Sequence, residues 1–263
     1  MSQPVIVTRA LSKHYGKSRM IRAVDGLNLE VMEGETFGLL GPNGAGKTTT
    51  IRMLNCIISP TTGSGTVAGY DIIDQKESVK KETGLLAETP GLYEKLSGLE
   101  FLEFMGALYD VPKDLLPNRI EELLKLFGLS QRADQLLEGY SRGMKQKILI
   151  AASLIHDPKI LFLDEPTSSL DPKAGHMVKD LVRDLANEAG KTVFISSHVL
   201  PVVEELCDRI GIINKGRLVA IGRVEEILEI TSTSTLEDAF IEITGGVEEM
   251  ELLAWREQRD GKT

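Results

Sequence analysis

The chain has few cysteines, no long apolar run and no excess of positive charge, and each shortage removes a class of function. Its 263 residues include two cysteines, Cys56 and Cys207, far apart and without neighbouring ligand residues. Such a pair builds neither a disulfide framework nor a zinc site, and it fits a reducing cytoplasm. Both are read as ordinary buried or half-buried thiols. Apolar stretches such as Ile148 to Ile155 fall far short of the roughly 20 residues that a spanning helix needs. The N-terminus, MSQPVIVTRALSKHYG, lacks the apolar segment of a signal peptide. Any membrane role is therefore expected to be borrowed from a partner. Lys and Arg total 30 against 39 Asp and Glu, a net charge of −9. The basic footprint of a nucleic-acid binder is missing, and no nucleic-acid partner is expected. No repeat, low-complexity segment or long linker interrupts the chain.

With 42% hydrophobic and 26% charged residues, the composition is that of a globular protein long enough to bury a sizeable core. Val5 and Val7 around Ile6, and Leu27, Leu29 and Val31 alternating with Asn28 and Glu30, read as half-buried strands. The turn-rich TTGSGTVAGYD segment after Pro60 predicts a hairpin or strand connection. Thr36 to Leu40 suits a strand buried on both faces, and it runs directly into GPNGAGKTTT and a helical IRMLN segment. From about Leu99 to Leu154 apolar residues recur at helical spacing, with Pro112 and Pro117 at or just before the start of a second helix. Lys159 to Leu163 is a buried strand, followed by a helix near Val178 to Glu188 and a strand from Thr192 to Ser196. A last strand, Ile210 to Ile213, closes on the turn Asn214-Lys215-Gly216.

Strands alternating with helices predict an α/β fold with a mainly parallel sheet. An N-terminal antiparallel β subdomain and an inserted helical lobe at about 90–155 complete the expectation. Residues 1–246 are expected to form one domain and 247–263 a charged, helical tail.

Gly41, Pro42, Asn43, Gly44, Ala45, Gly46, Lys47 and Thr48 satisfy G-x-x-x-x-G-K-[ST] at every fixed position, and Thr49 follows within the expected binding set. Glycines let the backbone curl so that successive N–H groups face phosphate oxygens, and the helix that follows adds its positive end. Lys47 is expected on the β- and γ-phosphates of ATP, and the Thr48 hydroxyl on Mg²⁺. Such a loop needs a carboxylate at the end of another buried strand to hold the metal. Asp164 ends the Ile160 to Leu163 strand and takes that role. Glu165 is next, placed to polarise the attacking water as a general base. A P-loop NTPase core is the fold this predicts.

Between loop and strand lies YSRGMKQK, Tyr140 to Lys147. Here the chain resembles the nucleotide-binding subunits of ATP-binding cassette (ABC) transporters, whose signature LSGGQ precedes a helix. The resemblance runs from about Val5 to Gly246. It implies an ATPase that dimerises, as a homodimer or with a sister subunit, so that Ser141 and the N–H groups near Gly143 meet ATP held by the other subunit. It further implies Tyr15 against adenine, Asp171 in the loop linking the two sites, and His198 as the switch histidine at the γ-phosphate. His14, His156 and His176 receive no functional role. The family's glutamine after the strand that leads to the helical lobe is Glu88 here; a carboxylate can still meet Mg²⁺ or water but adds negative charge beside the phosphates. Arg142 and Met144 depart from the signature, and Ser169 stands where a glycine is common.

GLYEKLSGLE and LEDAFIEITGG are similar to the branch that serves separate integral-membrane permeases, many of them exporters, with Glu88 to Leu99 as the groove for a permease's coupling helix. The expected location is the cytoplasmic face of the cell membrane. A soluble ATP-driven clamp on nucleic acid, ribosomes or an assembly complex is the alternative; one cassette, no heptads and negative charge weigh against it. A small-molecule kinase sharing the P-loop leaves the signature and His198 unexplained.

Overall fold

The computed structural model describes residues 3–16, 21–88, 91–168, 170, 172–187 and 190–245. In chain order the elements begin with strands β1 (Pro4–Tyr15), β2 (Ile21–Met32) and β3 (Thr36–Leu40). Helix α1 (Lys47–Leu54), strands β4 (Thr62–Val67) and β5 (Tyr70–Asp71), helix α2 (Lys76–Glu82) and strand β6 (Thr83–Leu86) follow. Three helices come next, α3 (Gly98–Leu108), α4 (Leu116–Leu126) and α5 (Arg142–Leu154). Then come β7 (Ile160–Asp164), α6 (Pro172–Asn187), β8 (Thr192–Ser197) and α7 (Leu200–Leu206). The described chain ends with β9 (Arg209–Asn214), β10 (Arg217–Gly222), α8 (Val224–Thr231) and α9 (Leu236–Thr244).

Two sheets organise these elements. The first is antiparallel, in the order β2-β1-β4-β5. Along β2 the predicted alternation holds, with Leu27, Leu29 and Val31 buried and Asn28 and Glu30 exposed. On β1 the buried face belongs to Ile6 and Thr8, with Val5 and Val7 only half-buried. Register irregularities near Pro4 and again between Thr8 and Leu11, where Ala10 has φ 45°, interrupt simple alternation.

The second sheet runs β10-β9-β3-β8-β7-β6 and is parallel except for the β9–β10 pair. Every residue of β3, β7 and β8 is buried, as expected for central strands covered on both faces. Phe194 on β8 lies 5.4 Å from Phe37 on β3 and 5.3 Å from Phe162 on β7, ring centre to ring centre. This packing aligns the C-terminal ends of the three strands. Leu40 pairs with Ser197 and Asp164 with Ser196, so the glycine loop and the two acidic residues leave the sheet at one edge.

Ile210 to Ile213 lies within β9 and is not the last strand. The turn at Asn214-Lys215-Gly216 makes a hairpin to β10, whose Val219 and Ile221 are exposed. That outward apolar face left no strand signature pointing to a core. The helix expected from Val178 starts earlier, at Pro172, a residue that suits the first turn. Helices α2, α7, α8 and α9 are absent from the sequence expectation. Ile227 of α8, with Leu236 and Ala239 of α9, completes a core shared with Leu40, Val203, Ile210 and Ile212.

Helices α3, α4 and α5 pack through Phe101, Leu102, Ile120, Leu124 and Ile148, in one core with Leu161 and Leu163 of β7. Ser97 caps α3 reciprocally with Glu100, and Pro117 stands in the first turn of α4. The His156 ring stacks on Tyr109 at 3.7 Å, and its Nε2 lies 3.0 Å from the Thr83 carbonyl oxygen. This ties the helices to the start of β6. Among the described residues no helix is long and apolar enough to cross a membrane. The tail 247–263 lies outside the described residues.

Candidate active site

The glycine loop is shaped by contacts that only glycine permits. A Cβ on Gly41 would lie 2.4 Å from the Ile213 carbonyl oxygen, and one on Gly46, at φ 114°, would lie 2.4 Å from that of Ala23. Within the loop Ala45 N–H donates to the Pro42 carbonyl at 3.1 Å, and Gly216 N–H donates to that of Ala45 at 2.9 Å. Helix α1 starts at Lys47 with no side-chain cap and no acidic residue in its first turn. Its amide end is therefore available to an anion. The Lys47 ammonium is 6% exposed and donates to the Gly41 and Pro42 carbonyls at 2.7 and 3.2 Å. A buried cation requires such partners.

Asp164, at the end of β7, is buried and held by two hydroxyls. Thr48 Oγ1 donates to its Oδ1 at 3.2 Å, and Ser196 Oγ donates to the same oxygen at 2.5 Å. Glu165 adopts φ 51°, uncommon for a residue with a side chain. Its N–H donates to the Ser196 carbonyl and hydroxyl, both at 3.2 Å. The turn directs the carboxylate into a cavity of about 230 Å³ lined by Ala23, Asn43, Gly44, Gly46, Lys47, Thr48, Thr49, Glu88 and Glu165. His198 Nδ1 lies 2.9 Å from Glu165 Oε2; because a carboxylate accepts, the proton of that contact sits on Nδ1. Glu165 Oε1 is buried without a hydrogen-bond partner among the described residues. Lys47 Nζ is 3.3 Å from it but not aligned to donate. The two charges form a buried ion pair at the floor of the loop, with that oxygen's hydrogen-bonding capacity unused among the described residues.

These residues fit a magnesium nucleotide. Thr48, Asp164 and Glu88 bring hard oxygen donors to the loop, the ligand type that Mg²⁺ takes. No cluster of three or more His, Cys, Asp or Glu suited to a metal occurs among the described residues. Mg²⁺ accordingly needs substrate phosphates and water in its shell, its usual habit.

Other expected residues lie elsewhere. Ser141 and Gly143 do not line this cavity. Ser141 is exposed and caps α5, accepting from Met144 N–H at 3.3 Å. Tyr15 ends β1, 38% exposed, with the Lys13 ammonium 5.3 Å from its ring centre. Asp171 and Ser169 lie outside the described residues. Ser196, not among the residues expected from sequence, belongs to the site, and a polar pair closing a fully buried strand is the signal that marks it.

The family model for "ABC transporter" matches residues 24–168. The linearmycin resistance ATP-binding protein LnrL of Bacillus subtilis is 38% identical over 247 residues, covering 94% of this chain and 77% of its own length. A solved ATP-binding subunit of an ABC transporter superposes with a TM-score of 0.82 at 29% identity, over 91% of this chain and 99% of that one. A dimeric ATP-binding cassette bound to ADP and Pi superposes at 0.75 with 27% identity, over 83% of this chain and 98% of that one.

Proposed function

Because this chain belongs to the ABC transporter family, as an ATP-binding subunit that hydrolyses ATP in support of transport, we propose that two copies, or one copy and a sister subunit, close around ATP and drive export through a separate integral-membrane permease. One observation carries the reading. Lys47, Thr48, Asp164, Glu165 and His198 come together at the glycine loop, while a second helix start without an acidic first turn, at Ser141 and Gly143, does not line the same cavity. Two chains facing each other would complete both sites.

In this reading the Gly41 to Thr49 backbone and Lys47 cradle the phosphates, and Tyr15 stacks on adenine. Glu165 takes a proton from the attacking water, and His198 keeps that carboxylate in place and faces the γ-phosphate. Thr48 and Asp164, with Glu88 nearby, would hold Mg²⁺, which supplies neutralisation of phosphate charge. Ser141 and the amides near Gly143 meet the nucleotide of the other subunit, and Asp171 links the two sites. Residues 1–246 act as one ATP-binding unit with the 90–155 block as its helical lobe, followed by the 247–263 tail.

The relative's role in linearmycin resistance supports export, and the dimeric neighbour with ADP and Pi supports closure in pairs. The segment Glu88 to Leu99, of which 89 and 90 lie outside the described residues, receives the permease in this reading; within it Tyr93 is 56% exposed and meets Phe104 edge-on at 5.2 Å. Through that contact the subunit sits on the cytoplasmic face of the membrane. The test is to tag Glu165→Gln, express it in its native cell, solubilise the membranes gently with ATP, and identify what co-purifies. A multi-span protein in near-stoichiometric amount is expected. Recovery of only soluble partners or nucleic acid would overturn the permease assignment.

A further inference from the structure

Helices α3 and α5 both start at a serine cap, yet they treat charge in opposite ways. Behind Ser97, α3 carries Glu100, whose carboxylate closes a capping box. Behind Ser141, α5 opens on Arg142, carries Met144 and no acidic residue in its first turn, and has Lys145 immediately after. Cations so near the positive end of a helix are unfavourable unless a carboxylate approaches from elsewhere, as one does for Lys145. Glu94 does so: its Oε1 accepts from Lys145 Nζ at 2.5 Å, and this contact holds the Glu94 carboxyl below its ordinary range.

We infer that Glu94 is a positioning residue for the signature helix. Its carboxylate neutralises Lys145 from the side, leaves the α5 amide end free for an anion, and fixes that end to the segment 91–97. The inference rests on the proposed meeting of Ser141 with nucleotide.

The backbone supports it. Glu138 N–H donates to the Glu94 carbonyl at 3.0 Å, and Leu137 N–H donates to that of Leu96 at 2.9 Å. Lys95 and Glu138 add an ion pair at 2.6 Å. The chain leading into the signature is thereby clasped to the segment that bears exposed Tyr93. On the far side of Lys145, Gln146 Nε2 donates to the Pro166 carbonyl at 3.0 Å, next to Glu165. One helical turn therefore touches both the outer segment and the strand end of the hydrolytic site. Exposed ion pairs add little to global stability, and Glu94 is half exposed. Its effect belongs in the geometry of α5.

The test is steady-state ATP hydrolysis by the full chain. Glu94→Gln is expected to lower kcat roughly 3- to 10-fold, with KM for ATP and the melting temperature nearly unchanged. Lys145→Gln is the partner variant, and the double variant should be no slower than the slower single, the mark of a coupled pair. Wild-type kcat in Glu94→Gln, or a double variant as slow as the product of both singles, would overturn the inference. Ser141→Ala separates the two levels. If it too is slow, a normal Glu94→Gln refutes the pair alone; a normal Ser141→Ala refutes the placement of α5 on nucleotide and the inference with it.

Discussion

Ser196→Ala removes one oxygen from the centre of the site, and its consequences can be worked from the contacts. The hydroxyl is fully buried, donates to Asp164 Oδ1 at 2.5 Å and accepts from Glu165 N–H at 3.2 Å. The Glu165 N–H keeps a partner in the Ser196 carbonyl, and Asp164 keeps the Thr48 hydroxyl. The net loss is one buried hydrogen bond to a carboxylate, about 1.5–3 kcal/mol. For a chain of this size that lowers the melting temperature by roughly 3–5 °C. Asp164 would also lose half of its hydroxyl support, so the Mg²⁺ concentration needed for half-maximal ATPase should rise roughly 10-fold. Thermal melts and a Mg²⁺ titration of the ATPase read both effects. A melting temperature within about 1 °C of wild type together with an unchanged Mg²⁺ dependence would refute Ser196 as the support of Asp164.

Gly46→Ala forces a Cβ to 2.4 Å from the Ala23 carbonyl oxygen at φ 114°; loss of nucleotide binding in a fluorescent-ATP titration is expected, with destabilisation above about 1 kcal/mol. Glu88→Gln removes a negative charge from the phosphate cavity and should tighten Mg-ATP binding by about 3-fold; equal affinity and equal ATPase would refute the role given to Glu88. Burial lowers the His156 pKa from its ordinary value, so the folded chain binds that proton less readily than the unfolded one. The stability contribution is complete above the ordinary pKa of about 6.5 and is lost as pH falls below it. Melts between about pH 7.5 and 5.5 should therefore show a steeper fall for wild type than for His156→Phe, which retains the stack on Tyr109 without titrating.

The legible parts of the fold were those in which local pattern and burial agree. Thr36 to Leu40 and Ile160 to Leu163 are apolar because both faces are covered, so no alternation was needed to read them. GPNGAGKT was legible because loop shape, lysine and hydroxyl are encoded in adjacent residues. β10 was not, since Val219 and Ile221 face outward and its pairing depends on β9, which folds back through a turn. Helices α8 and α9 earn their place through Ile227, Leu236 and Ala239 against a distant core. Within the site, the Thr48–Asp164 contact spans 116 residues and the His198–Glu165 contact 33. Motif order anticipated these side chains as a group, whereas Ser196 left only the weak signal of a polar pair closing a buried strand, and the Glu94–Lys145 pair emerges only when helix starts and loops are brought side by side.

The most direct test of the central claim is the mass of the Glu165→Gln chain in solution, by light scattering, with Mg-ATP and with Mg-ADP. If Glu165 is the base and ATP joins two copies, the variant binds ATP without turning it over. It should then have twice the monomer mass with ATP and the monomer mass with ADP. A monomer in both solutions would rule out pairing of identical copies, and hydrolysis by Glu165→Gln at the wild-type rate would contradict the account.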